Sequence, residues 1–590
     1  MKLLKGTLLA LFLVSLLPAF ASAQTLPQFS HIIIIVQENR TPDNIFGYWA
    51  TGQPSGAGCT PSTLPFIGAD IYNGGYTLNA ANQRVTICNV PQPMNNGGTF
   101  DPGHEYEDWT ADYDTKGMDG FCHGYTNGVC PTSQPSPYSY IQTADVNPYY
   151  SIATTYGFAN YMFQTNEGPS MVAHQFLFTG TSAPVAPGVG GANGEWWDFV
   201  RDNPNGNGNN DPDNHSGCPS VYQAPWIQPD RTPLSSQLTY ECYAHDSLMT
   251  GSNCTNGVCD KYPNLTWTYY SPLDGTAAGA EYIWDAPEAI PEVCYGENDT
   301  TPAPAACGSV NGGTEWNSHM VFYDAYNNAE PIPIFTDISN CKLANISWII
   351  PDLAWSDHPS YDGTVSPPLG PSWVASIVNA IGQSYSNSNQ KCDYWGTSGA
   401  GGNVVQPTAI FVTWDDWGGF YDHIQPYEVL TGVNNGTPMN PIWSCPPPAT
   451  NQWGCGNTYG FRVPLLVVSE FTGTKSGANY TGYISGPCTP PNCPNTTKIY
   501  QHDFGSILAF TENNFGLQNI DQSGDNGYAD YNALDWDSGH KISPLSDFFR
   551  LYTGPSSAGR PFVQVPSGYD SSFFENYYLN GGTPAGPDTD

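Results

Sequence analysis

Positive charge is what this sequence has least of. Lys and Arg together number 16 against 53 Asp and Glu, for a formal net charge of −37. Such a chain repels duplex nucleic acid and any anionic membrane surface. Charge of either sign is in fact sparse: charged residues make up only 12% of the chain, which excludes a disordered polyacid. Much of the surface therefore falls to Asn, Ser, Thr, Gly and Tyr. In an acidic medium it would lose its negative charge and gain little positive charge. This is a hint of an acidic extracellular setting, with solubility alone as the plainer alternative.

Long apolar runs are also missing after the first residues. Lys2 and Lys5, the apolar stretch Leu8 to Leu17 and the small-residue site Ala21-Ser22-Ala23 read as a secretory signal over residues 1–23. That stretch is too short for a comfortable membrane span. The expected product begins at Gln24, is soluble, and is secreted or periplasmic. No C-x-x-C pair stands near another pair or a spaced His pair, which disfavours a zinc site. Sixteen cysteines in an exported chain point instead to disulfides. Local bridges are plausible for Cys122 with Cys130, Cys254 with Cys259, Cys445 with Cys455 and Cys488 with Cys493.

The most informative segment present is His31-Ile32-Ile33-Ile34-Ile35-Val36 followed by Gln37-Glu38-Asn39-Arg40. Consecutive β-branched residues of this kind form a strand buried on both faces, as in the middle of a parallel sheet. Ligands in open α/β sheets bind beyond the carboxyl ends of strands, where Glu38 and Asn39 fall. Three more segments repeat the pattern. Thr408 to Trp414 runs into Asp415-Asp416, then Trp417-Gly418-Gly419-Phe420-Tyr421-Asp422-His423. Asn345 to Pro351 runs into Asp352 and Ser356-Asp357-His358-Pro359. Arg462 to Val468 runs into Ser469-Glu470. The expected fold is one large α/β domain built on a central, mostly parallel sheet with helices on both faces. A Gly-, Pro-, Asn- and Cys-rich segment at about 183–335 reads as disulfide-tied insertions over that core.

Adjacent Asp415 and Asp416 repel each other, and a cation between them is the simplest reason to bring them together. An exposed acidic turn is the alternative. Ser170, in Gly168-Pro169-Ser170-Met171-Val172-Ala173-His174, opens a helical pattern. It could merely cap that helix. The same place suits a phosphate, because outward N–H groups and the positive end of the dipole meet there. It is not a G-x-S-x-G elbow. His104, His358, His423 and His502 stand in polar company, each with a structural alternative.

Gln37-Glu38-Asn39-Arg40-Thr41-Pro42-Asp43-Asn44-Ile45-Phe46-Gly47 resembles the E-N-R-S-F-D-H-x-F-G signature of the bacterial phosphoesterase family. That family holds secreted phospholipases C and acid phosphatases and belongs to the alkaline phosphatase-like superfamily. The likeness continues in order through Asp101-Pro102-Gly103-His104, Gly168-Pro169-Ser170, Ser356 to Pro359, Asp415 to His423, Arg462-Val463-Pro464 and His502 to Glu512. It implies an alkaline phosphatase-like catalytic domain over residues 24–590. A divalent metal ion would be held by Glu38, Asn39, Ser170, Asp415 and Asp416. Ser170 would also be the nucleophile that forms a phosphoseryl intermediate. His104, His358 and His423 would surround the phosphate, with His358 protonating the leaving group. Departures are Thr41-Pro42 for Ser-Phe, Asn44 for His and Asp415-Asp416-Trp417 for Asp-Glu-His.

The resemblance implies a phosphate ester substrate. The shorter, phosphatase-like layout favours a monoester and an acid phosphatase. A phospholipase C-type diesterase is the alternative, since Trp and Tyr could cage a choline head group. From other classes, a secreted glycan-binding protein and a glycosidase with an acid pair are the alternatives; neither requires a cation beside Ser170.

Overall fold

The computed structural model describes residues 28–94, 100–180, 222–227, 233–240, 247–273, 286–289, 293, 314–324, 332–359, 368–384, 392–396, 404–426, 459–486, 499–520, 529–533, 542–549 and 559–577, apart from a few positions within these stretches. The expected signal lies outside them. Among the described residues no helix is long and apolar enough to cross a membrane.

Among the described residues, eight strands form the central sheet. In chain order they are β1 (His31–Gln37), β2 (Gly157–Ala159), β3 (Trp267–Leu273), β4 (Met320–Asp324), β5 (Ile346–Ile349), β6 (Thr408–Trp414), β7 (Leu465–Val468) and β8 (Tyr483–Ser485). They lie side by side as β4-β3-β5-β1-β6-β7-β2-β8. The isoleucine run is central, as its composition requires. All seven residues of β1 are buried, and it pairs in parallel with both β5 and β6. Only β7 is reversed, antiparallel to β6 and to β2.

Helices cover both faces, and strand alternation shows how. Phe411 packs on Phe510 at 5.3 Å, whereas Trp414, three residues further along β6, packs on Tyr149 at 4.9 Å. An odd spacing along a strand points side chains to opposite faces. Tyr149 belongs to α1 (Thr143–Thr155) and Phe510 to α3 (Phe504–Phe515). Between them in sequence lies α2 (Ser170–Thr179), whose Phe178 meets Trp348 of β5 at 4.9 Å. The start of α3 is fixed by a capping box between Asp503 and Ser506, and its end by Gly516 at φ 67°.

Two expectations need revision. The segment at about 183–335 does more than cover the core, because β3 and β4 are strands of the central sheet. Its strand signal was obscured because β3 is Trp-Thr-Tyr-Tyr-Ser-Pro-Leu, without aliphatic alternation. Reversal of β7 also carries Ser469-Glu470 to the edge opposite Glu38 and Asp415, and brings Arg462 to their edge instead. Cys122–Cys130 is bridged as expected, and Cys59–Cys88 and Cys341–Cys392 are bridged as well. Cys445 with Cys455 and Cys488 with Cys493 lie outside the described residues, as does the side chain of Cys254.

Candidate metal and phosphate site

The carboxyl ends of β1 and β6 lie side by side, and their backbones are stitched together beyond the last ladder pair. Asp415 N–H donates to the Gln37 carbonyl at 2.9 Å, and Arg40 N–H donates to the Asp416 carbonyl at 3.0 Å. Asn39 adopts φ 59°, a left-handed conformation that Asn tolerates better than most residues. That turn aims its N–H at Asp415 Oδ1, 2.9 Å away. Gly418, also left-handed at φ 59°, lies against Asn39: a Cβ there would sit 2.2 Å from the Asn39 carbonyl oxygen. The glycine pair after the aspartates thus permits the close approach that the site requires.

Glu38, Asn39, Asp415, Asp416 and Ser170 are all buried. Ser170, the first residue of α2, donates its hydroxyl to Asp416 Oδ2 at 3.3 Å. Asp416 Oδ1 accepts from Gly418 N–H at 2.6 Å, and Asp415 Oδ1 accepts from Asp416 N–H at 2.7 Å. Asp415 Oδ2 and Asn39 Oδ1 are buried with no hydrogen-bond partner. Burial, reinforced by neighbouring Asp415, pushes the Asp416 carboxyl well above the usual carboxylate range. Adjacent buried carboxylates with oxygen atoms left over are what a hard divalent cation neutralises. The residues present therefore fit such an ion.

His104 sets the direction of one of these oxygens. Its Nδ1 lies 2.9 Å from the Pro102 carbonyl, which makes Nδ1 the protonated nitrogen. Nε2 then accepts from Asn39 Nδ2 at 2.9 Å. With its NH₂ group committed to His104, Asn39 turns Oδ1 the other way, a supporting contact of the kind that orients metal ligands. His358 is buried, with its ring centre 5.9 Å from that of His104. Its N–H donates to Ser356 Oγ at 3.1 Å. The preceding Asp357 anchors this loop: its N–H donates to Gln37 Oε1, and its Oδ2 accepts from the Tyr149 hydroxyl and the Trp414 indole. Burial raises Asp357 to about 7, against the pull of Tyr149 and Arg40.

The structure thus brings together Glu38, Asn39, Ser170, Asp415, Asp416, His104 and His358. It holds His423 and His502 in other clusters. His423 donates from Nδ1 to Asp43 Oδ2 at 2.7 Å, reaches Asp70 Oδ1 at 3.2 Å and stacks on Tyr72. Burial would lower its pKa, but Asp43 and Asp70 outweigh that and raise it to about 9. Arg462 binds the neighbouring Asp422 through two nitrogens, at 3.0 and 2.8 Å. His502 contacts the Ser485 hydroxyl and the Ser543 carbonyl. One site residue escaped the sequence reading. His174 lies one helical turn after Ser170, and its Nε2 is 3.5 Å from Glu38 Oε1. The signal was the i, i+4 spacing from Ser170, which puts both on one helix face. Burial lowers its pKa to about 4 despite Asp415, so the imidazole is neutral.

Comparison with known proteins places this geometry in context. A model of the Phosphoesterase family matches residues 29–392 and 398–518. Phospholipase C B of Mycobacterium tuberculosis is 29% identical over 143 residues, 24% of this chain and 23% of that protein. Non-hemolytic phospholipase C of Burkholderia pseudomallei is 26% identical over 270 residues, covering 36% of this chain and 35% of that protein. Phospholipase C A of M. tuberculosis is 27% identical over 136 residues, 23% of this chain and 22% of that protein. The matched parts thus span about a third or less of each relative's length.

Proposed function

Because the chain belongs to the Phosphoesterase family, we propose that it is an exported, metal-dependent hydrolase of phosphate esters in which Ser170 is the nucleophile. The observation that carries this reading is the Ser170 hydroxyl, 3.3 Å from Asp416 Oδ2 in a buried cluster where Asp415 Oδ2 and Asn39 Oδ1 lack hydrogen-bond partners. Residues 24–590 would form one catalytic domain of alkaline phosphatase-like arrangement.

Glu38, Asn39, Asp415 and Asp416, with Ser170, would hold a divalent cation, which when bound neutralises these carboxylates and draws charge from the phosphate oxygens. The remaining roles fall to the chain itself. Asp416 Oδ2 orients the Ser170 hydroxyl, takes its proton as the oxygen attacks phosphorus, and returns it to the serine oxygen when the serine–phosphorus bond breaks. The N-terminal end of α2 presents N–H groups and positive dipole to the phosphate. His358 gives a proton to the departing alcohol as the serine–phosphorus bond forms. In the second half it takes a proton from the water that releases phosphate from serine. His104 acts through Asn39 and borders the phosphate. His423, held by Asp43 and Asp70 in a separate cluster, would take no part at the phosphate, contrary to the role the resemblance implies.

The monoester preference expected from the sequence gains no support from relatives that are named phospholipases C. Their names favour a diester, so the phospholipase C-type reading is placed first and the acid phosphatase second. The test compares hydrolysis of p-nitrophenylphosphorylcholine and p-nitrophenyl phosphate by the wild type and Ser170→Ala. Loss of at least about 10³-fold in kcat on the preferred ester is expected. Turnover intact in Ser170→Ala would refute the serine mechanism, and the ratio of the two esters decides between the readings.

A further inference from the structure

His174 is buried at 1% exposure, and neither of its ring nitrogens has a hydrogen-bond partner. A buried imidazole without hydrogen bonds is costly and calls for an explanation. Its Nε2 lies 3.5 Å from Glu38 Oε1 and 3.9 Å from Asp415 Oδ2. These contacts are too long for hydrogen bonds. The three ligand atoms nonetheless lie within 4.8 Å of one another. Nitrogen and oxygen atoms sharing one ion at about 2.0–2.2 Å each stand roughly 3–4 Å apart, which is the spacing seen. The helix explains how the group arrives: α2 presents Ser170 at its first residue and His174 one turn on, so both face the ends of β1 and β6.

We propose that His174 Nε2 is a direct ligand of the cation held by Glu38 and Asp415. The proposal rests on the metal-dependent reading above and adds to it a nitrogen donor. One imidazole among carboxylate and amide oxygens changes which ion the site prefers. Mg²⁺ and Ca²⁺ take oxygen, whereas imidazole suits Zn²⁺, Co²⁺ and Cu²⁺. The site is therefore selective for a first-row transition metal.

The test uses the metal-free full chain loaded with one equivalent of Cu²⁺ and examined by pulsed electron paramagnetic resonance for a coordinated imidazole nitrogen. His319 and His423 sit in the other acid–histidine groups found among the described residues, so His319→Gln and His423→Gln serve as controls. The expected result is a nitrogen coupling in the wild type and both controls that is lost in His174→Gln. In the same variant Co²⁺ should bind at least roughly tenfold more weakly, with Mg²⁺ affinity changed much less. A bound cation without nitrogen coupling, or a coupling that persists in His174→Gln, overturns the proposal and leaves the metal-dependent reading standing. A wild type that binds no cation overturns both. If His174→Gln does not fold, the wild-type coupling still decides. Its disappearance in His104→Gln, His319→Gln or His423→Gln would assign the nitrogen elsewhere, and its survival in all three supports His174.

Discussion

At the scale of single residues, the site turns on abrupt changes of chemistry along the chain. Glu38, Asn39, Asp415 and Asp416 were legible because apolar β-branched strands stop at them, and Ser170 because Gly168-Pro169 breaks the preceding structure. His174 was not, because in Ser-Met-Val-Ala-His-Gln-Phe-Leu-Phe-Thr it reads as one polar residue in an apolar helix. Nor does sequence adjacency predict that the chain after Gly418-Gly419 carries His423 away to Asp43 and Asp70. Two substitutions probe this scale. His358→Asn should slow esters of alkyl alcohols by about 10²–10⁴-fold and p-nitrophenyl esters far less, because nitrophenolate leaves without a proton. Rates across a leaving-group series measure this, and an equal loss for all would remove His358 from the acid role. Gly418→Ala places a methyl group 2.2 Å from the Asn39 carbonyl at a left-handed φ. It should cost about 1–3 kcal/mol of stability and lower the bound metal, read by thermal melting and elemental analysis.

At the scale of elements, burial was easier to foresee than direction. A four-residue run such as Leu-Leu-Val-Val is equally buried whichever way it points, so only the pairing reveals that β7 is reversed. Helix α3 shows a second property hidden from the sequence. Its Glu512 is buried against Asp530, and burial together with that like charge raises Glu512 to about 10 from 4.5. Burial raises Asp530 as well. The folded state therefore binds protons that the unfolded chain releases. The corresponding stability is present in full below about 4.5 and is lost progressively as the pH rises toward 10. Thermal melts should show a falling transition temperature over this window, and Glu512→Gln should flatten the fall. An unchanged slope in that variant would locate the sensitivity elsewhere. This preference for acid agrees with the sparse positive charge of the chain.

At the scale of the whole molecule, net charge governs which surfaces the protein meets. A chain at −37 is repelled by anionic lipid over a distance set by salt. On the phospholipase C-type reading, hydrolysis of phosphatidylcholine vesicles should therefore exceed that of phosphatidylglycerol vesicles at low ionic strength, and the ratio should shrink as salt is added. A ratio indifferent to salt would mean that head-group chemistry, not long-range charge, sets the preference. The family resemblance spans most of the chain because the site gathers segments spread along it. Asn39 and Asp415, which share a hydrogen bond, are 376 residues apart in sequence. The centre is consequently absent from every incomplete chain that ends before Asp416. A phosphoesterase so arranged has nothing to act with until segments from distant parts of the polypeptide meet.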